Sequence, residues 1–465
     1  MTAATQILQN LWTSVSGDAA ALRQVRLTGD GPGLPSSFCV GALAQASIAA
    51  SGLAAAELWR ARGGASQTVT VDLRLACAEN RSERLLQVNG KATPNLWDPL
   101  AGVYPTADGF VRLHTNFAHH RQAVLDVLNC ASDRAAVAAA LLTWKSEAFE
   151  TEATARGCVV AMLRTMEQWA AHPQAGHLAT LPLVEITRIG DAAPRPLPPA
   201  KSPDRGALAG LRVLDLTRVI AGPVSGRTLA AHGADVMLMT GPHLPAIDVL
   251  VIDTGRGKLS AQLDLRQSAD TAKFTALLAT ADIMQQGYRP GGLADLGFGP
   301  EDAARIRPGI VYVSLSAYGR IGPWAGKHGF DSLVQCATGL NHAEAQAAGA
   351  TQPKELPCQI LDHATGYLMA FGAMMARVRQ AREGGSWHVQ VSLARTGLWL
   401  AQQGRIDALA APDPKAADLT DLMEETSSGF GCLTAVRHSA NLSLTPAKWR
   451  RPSEPLGTHA AHWQD

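Results

Sequence analysis

The hydrophobic and polar positions of the second half of the chain alternate between strand-length and helix-length patterns. Leu211-Arg-Val-Leu-Asp-Leu216 is a short apolar run of strand length. Pro223 to His232 reads as a helix, and Gly233 fits its C-terminal cap. Ala234-Asp-Val-Met-Leu-Met239 is a second strand-length run. Strand, helix and strand within about 30 residues predict a right-handed βαβ crossover. Lys258 to Leu265 reads as extended, Ser268 to Thr280 as an amphipathic helix, and Asp282 to Gln285 as a return to the sheet. Ile310-Val-Tyr-Val-Ser-Leu315 is a third strong strand. Strands alternating with helices predict a parallel sheet covered on both faces. Leu361 to Gln380 reads as a long helix with Tyr367, Phe371, Met374, Met375 and Val378 on one side. Gly384-Gly385 ends it, and Trp387-His-Val-Gln-Val-Ser-Leu393 then alternates strictly, as a half-buried strand does.

The first half echoes this last unit. Ala44 to Arg62 reads as an Ala-rich helix, Gly63-Gly64 breaks it, and Thr68-Val-Thr-Val-Asp-Leu73 alternates. Helix, double glycine and strand thus occur twice, about 320 residues apart, which either marks an internal duplication or reflects the generic likeness of such units. Tyr104 to His114 reads as a turn and a strand, and Ala118 to Asn129 as a helix. Five prolines between Pro194 and Pro203 exclude a helix or a central strand there. A boundary is expected at this stretch, dividing the chain into residues 1–193, a linker at 194–206, and residues 207–465.

Composition narrows the class. The 465 residues are 46% hydrophobic and 17% charged, which excludes general disorder. Forty-one basic against 40 acidic residues give a net charge of +1, so no basic field is present for nucleic acid. Seven cysteines, an odd number with no C-x-x-C pair, read as reduced thiols of a cytoplasmic protein. The first 35 residues lack the pattern of a signal peptide. Ser36 to Ala56 carries no charge but is built mainly of Ala, Ser and Gly, and is expected to be a buried helix of a soluble protein, not a membrane span.

Candidate chemistry is sparse by motif. The first βα loop, Thr217-Arg-Val-Ile-Ala-Gly-Pro-Val-Ser-Gly226, leads into a helix N-terminus that could attract an anion, though from the residues alone a plain tight turn is the favoured reading. It is not G-x-G-x-x-G, and the second strand ends in Thr240 where a dinucleotide site places an acid. Neither G-x-S-x-G nor a P-loop occurs. His114, His119 and His120 lack an evident carboxylate or thiolate partner, so no metal is expected. His328 near Asp331 reads as an acid–base pair or as a solvated loop histidine. Asp362, at the start of the long helix, is either an N-cap or a nucleophilic carboxylate kept ionised by the helix N-terminus.

Taken in order, these second-half segments resemble the class III (family III) CoA-transferases, the group that includes formyl-CoA transferase, carnitine CoA-transferase and α-methylacyl-CoA racemase. The resemblance is carried by Leu211 to Pro223, Leu229 to Val236, Arg256-Gly-Lys-Leu-Ser260 with Leu263-Asp-Leu265, Tyr288-Arg-Pro-Gly291, Leu296-Gly297, Val311-Tyr-Val-Ser314, Tyr318-Gly319, Gly322-Pro323 and Gly329-Phe-Asp331. It spans Leu208 to about Leu400. It implies an α/β fold, with a parallel Rossmann-like sheet domain and a second, smaller α+β domain. It implies coenzyme A as part of an acyl-CoA substrate, a carboxylic acid acceptor, and Asp362 as the nucleophile that carries CoA as an aspartyl thioester.

Val219, Ile220 and Ala221 match the loop that lies against adenine and pantetheine, and Lys258 matches a basic position near the phosphates. Gly287 and Tyr288 stand where the family has Asn-Phe, Thr240-Gly241 where it has an acid and an Arg, and His328 where formyl-CoA transferase has a basic residue. The racemase branch has a histidine where this chain has Phe330, so transfer is favoured over epimerisation of a 2-methylacyl-CoA. A non-catalytic CoA-binding homologue is the third reading. Tyr104-Pro-Thr-Ala-Asp-Gly109 resembles the family's small domain, here placed before the catalytic half. The position matching Asp362 in the first half is Gly41 or Ala42, so one active centre per chain is expected. Family members form interlocked homodimers, and the fused first half leaves a monomer open.

Overall fold

The computed structural model describes residues 2–200, 202–289 and 291–464. Lys201 of the proline-rich stretch and Pro290 of the Tyr288–Gly291 segment lie outside the described residues.

A seven-stranded sheet forms the centre. Its strands are β1 (Glu185–Gly190), β2 (Arg212–Leu216), β3 (Asp235–Thr240), β4 (Lys258–Gln262), β5 (Ile283–Gln286), β6 (Val311–Ser316) and β7 (Ser386–Ser392). Their order is β4-β3-β2-β5-β6-β7-β1, all parallel except β1, which runs antiparallel to β7. Period-two alternation sorts the side chains between two cores. Val213, Val236, Ile283, Val311 and Val313 face one hydrophobic cluster. Leu214, Leu216, Met237, Met239, Met284 and Tyr312 face the other. The chain runs outward from β2 in one direction through β3 to β4, then returns beside β2 with β5. The C-terminal ends of β2 and β5 therefore flank the point where the order reverses, where open α/β sheets place their ligands.

Three helices matter for the site: α1 (Val40–Ala61), α2 (Ala221–Ala231) and α3 (Ile360–Glu383). The uncharged segment read as a buried helix is α1; most of its side chains are shielded, and it packs along α3. Among the described residues no helix is long and apolar enough to cross a membrane.

The two halves are built alike where the sequence echoes itself. Strand Val25–Thr28 runs parallel to strand Val69–Asp72, with α1 between them in sequence, as β6 runs parallel to β7 around α3. A Cβ on Gly52 would lie 2.9 Å from Val69 Cγ1, and one on Gly372 would lie 2.6 Å from Val389 Cγ1. Asp72 and Ser392 each end their strand and cap the next helix, accepting from Leu75 N and Arg395 N. Gly52 with Gly372, Val69 with Val389 and Asp72 with Ser392 share one sequence interval. A shared close contact at a shared interval exceeds what a generic helix–turn–strand unit requires, and argues for duplication.

The boundary expected at 194–206 does not separate two bodies. Strand β1, before it, completes the sheet of the second half, while strand Ala440–Leu442, near the C-terminus, pairs antiparallel with Val69–Asp72 of the first. Each half thus lends the other an edge strand. The proline-rich stretch itself is pinned by Arg62, whose guanidinium donates to the carbonyls of Pro198, Pro199, Ala207 and Ala209. A smaller α+β unit is visible within the first half. Strands Gly102–Pro105, Phe110–Leu113 and Val160–Met162 form an antiparallel sheet, backed by helices Ala118–Leu128, Arg134–Leu141 and Ser146–Ala155 around their own core.

Candidate active site

Asp362 is the third residue of α3, not its N-cap. The cap residue, Gln359, makes no side-chain capping bond. Asp331 does that work from a distance: its Oδ2 accepts from Asp362 N at 3.0 Å. Asp331 also accepts from the Gln335 side chain and is fully buried. Two carboxylates therefore share the start of one helix. Asp362 is 6% exposed, and its carboxyl titrates well above the ordinary range. Burial is the largest cause, followed by the charges of Asp331 and Glu83. Burial also pushes Asp331 up, to about 6, against the bonds it accepts. The helix N-terminus, expected to keep Asp362 ionised, is opposed by burial and two neighbouring acids.

Next to Asp362, His363 Nε2 lies 3.0 Å from Glu83 Oε2, both side chains being buried. Burial alone would raise the Glu83 carboxyl, but the His363 bond and charge outweigh it and the net direction is down. Glu83 comes from the first half, and it is not alone. The cavity that holds Asp362 is walled on one side by Val219, Ile220, Phe330 and Ser332, and on the other by Glu83, Leu96, Trp97, His114 and Asn116. Apart from His114, singled out in the sequence only as one of three clustered histidines, none of these first-half residues carries a local motif, so only the folded chain reveals them. His114 stacks on Phe330 with ring centroids 3.8 Å apart and planes 10° apart. His114, His119, His120 and Phe117 form one aromatic cluster.

The expected CoA-binding residues divide by position. Val219 lines the Asp362 cavity and also an adjoining one bounded by Thr217, Leu238, Thr240, Leu244 and Thr254. Its φ is +73°, a left-handed conformation that a β-branched residue rarely adopts and that functional sites concentrate. Ile220 caps α2 and lines the Asp362 cavity. Ala221 begins α2 and is buried, its carbonyl facing Gly366 of α3. Gly287, just past β5, is exposed; a Cβ there would stand 3.6 Å from Leu315 and 4.0 Å from Thr217 across the reversal point. Tyr288 lines the pockets on either side of it. His328 is exposed, and partial burial with the charges of Arg289 and His119 lowers its pKa.

Lys258 departs from expectation. Its ammonium group is buried and donates to Asp215 Oδ2 at 2.8 Å and to the Pro223 carbonyl at 2.9 Å. It ties β4 to β2 and to the first turn of α2, and has no free surface to offer a phosphate.

The family model of CoA-transferase family III matches residues 208–432. These residues belong to CoA-transferase family III. An acetyl-coenzyme A transferase, nodX, of Hypoxylon pulicicidum is 34% identical over 209 residues, 44% of this chain and 35% of that protein. An acyl-CoA transferase of Gibberella moniliformis is 29% identical over 426 residues, 81% of this chain and 73% of that protein. The mouse succinyl-CoA:glutarate CoA-transferase is 32% identical over 185 residues, 37% and 42% respectively. Among solved structures, Rv3272 from M. tuberculosis is 31% identical, with a TM-score of 0.39 over 42% of this chain and 57% of that one. The chain spans about a third of nodX and just over half of Rv3272. The family III segment contributes Asp362, Asp331 and the Val219 loop to the cavity; the preceding half contributes the opposite wall.

Proposed function

We propose that the protein moves CoA from an acyl-CoA thioester to a free carboxylic acid, with Asp362 as the carrier. The observation that carries this reading is a cavity-lining carboxylate, Asp362, in the first turn of α3, beside the loop at the reversal point of a family III sheet. The Asp362 carboxylate oxygen attacks the thioester carbonyl, the C–S bond breaks, and a mixed anhydride and CoA thiolate result. The thiolate then attacks the aspartyl carbonyl, releasing the first acid and leaving CoA on Asp362 as a thioester. The acceptor carboxylate attacks that thioester, and the returning thiolate takes the new acyl group. Covalent catalysis divides a difficult exchange into easier steps. Each step passes through an oxyanion, which calls for nearby N–H donors. The test is an exchange assay with butyryl-CoA and a panel of free acids, followed by mass analysis of new acyl-CoAs. New thioesters that disappear with Asp362→Ala support the reading; CoA binding without exchange leaves a non-catalytic binder.

One observation favours a second reading, epimerisation at C2. Phe330 replaces the racemase-branch histidine, yet His114 brings an imidazole into stacking contact at that place from the other half of the chain. Deuterium incorporation at C2 of a 2-methylacyl-CoA, lost in His114→Phe, would favour this reading over transfer.

A further inference from the structure

Residues lining the cavity that holds Asp362 carry buried polar atoms without partners. Ser332 Oγ and His114 Nδ1 are both buried and accept or donate no hydrogen bond, in residues only 2% and 3% exposed. Leaving such an atom unsatisfied is costly, and native interiors seldom do so without a reason. Both residues line the same cavity as Asp362. Ser332 follows Asp331 directly. His114 is held in place by its stack on Phe330. Burial first, then the charges of His120 and Arg112, lower its pKa to about 3, so the ring is neutral.

The rest of the cavity restricts what these two atoms could recognise. Leu96, Trp97 and Phe330 supply apolar surface. Asp331, Asp362 and Glu83 make the surroundings acidic. Arg84, the guanidinium among the described residues lining the cavity, donates to the Pro357 carbonyl and lies 3.4 Å from Glu83. A second carboxylate on the substrate would meet the charges of Glu83 and Asp362, with Arg84, already beside Glu83, as the cation among the described lining residues. A hydroxyl would meet a donor in Ser332 and an acceptor in the neutral imidazole.

We propose that Ser332 and His114 recognise a hydroxyl group on the acyl chain held beside Asp362, and that the cavity selects hydroxyacyl over dicarboxylic substrates. The inference rests on the reading that acyl-CoA binds at Asp362, but its test does not depend on turnover. CoA thioethers cannot acylate Asp362, so S-butyl-, S-(3-hydroxybutyl)- and S-(3-carboxypropyl)-CoA are titrated into the full chain by calorimetry. The hydroxybutyl compound is expected to bind about tenfold more tightly than the butyl one, the worth of one or two well-made hydrogen bonds. The carboxypropyl compound is expected to bind most weakly. Ser332→Ala and His114→Phe, the latter keeping the stack on Phe330, should each bring the hydroxybutyl-to-butyl ratio toward one. A carboxypropyl compound that binds tightest, a ratio unchanged in both variants, or no binding of any of the three overturns the inference. Intact ratios together with a failed exchange assay would remove the transfer reaction and keep the recognition.

Discussion

At the residue scale, the account turns on how each charge is compensated. Lys258 and Asp215 are paired and buried between strands, so removing one leaves the other's charge buried and uncompensated, at a cost of about 3–5 kcal/mol. Lys258→Ala is therefore expected to lower the thermal midpoint sharply; an unchanged midpoint with weakened CoA binding would restore it to the phosphate site. Asp331 behaves oppositely. Its folded pKa, about 6, stands above the ordinary value of 3.8, so between these the folded chain holds a proton that the unfolded chain has released. Stability contributed by that proton is present at low pH and is lost as pH rises through this window. Asp331→Asn keeps an acceptor for Asp362 N, and is expected to raise the midpoint at pH 8 but not at pH 4. The same substitution removes a negative neighbour from Asp362. Exchange needs the ionised nucleophile, so kcat/KM should fall as pH drops through the raised Asp362 pKa, and Asp331→Asn should move that acid limb to lower pH. An acid limb unmoved by the substitution would mean that the two carboxylates do not communicate. Asp362 was legible in the sequence as a helix-start carboxylate. Its capping by Asp331 and the engagement of Lys258 were not, because both depend on partners 31 and 43 residues away.

At the element scale, the sheet strands and the long helix follow from alternation and apolar run length, and the structure moves their ends by only a few residues. Strand β4 is shorter than its extended reading, ending at Gln262, and α2 starts two residues before Pro223, which its first turn tolerates. Helix Asp248–Thr254 escaped the pattern; it supplies Leu250 to both cavities beside Val219. The left-handed Val219 was also invisible, since nothing in a valine advertises a positive φ. The two glycines that let α1 and α3 close on their strands give a direct check of the duplicated packing. Gly52→Val and Gly372→Val should each destabilise by about 1–3 kcal/mol through overpacking against Val69 and Val389, read by chemical denaturation. A neutral result at either site would contradict the shared geometry.

At the scale of the whole molecule, a linear division at the proline-rich stretch hides an interlocked one. Composition marks where the chain cannot form a strand, but not which distant strand pairs with which, so the exchange of edge strands was illegible. Proteolytic cleavage within residues 194–200 is expected to leave the two fragments co-eluting under native conditions, and separation of the fragments would refute the interlock. The same interlock explains why the site has two walls. The first half, whose helix α1 carries Ala42 where α3 carries Asp362, offers no nucleophile of its own at that place and instead closes the cavity over the one in the second half. The most direct test of this account is intact-protein mass spectrometry after incubation with acyl-CoA, beside Asp362→Ala. A CoA-mass adduct that hydroxylamine removes, that maps to the Asp362 peptide and that the variant lacks is the predicted result. An adduct that persists in Asp362→Ala, or no adduct with any donor that binds, would contradict Asp362 as the carrier of CoA.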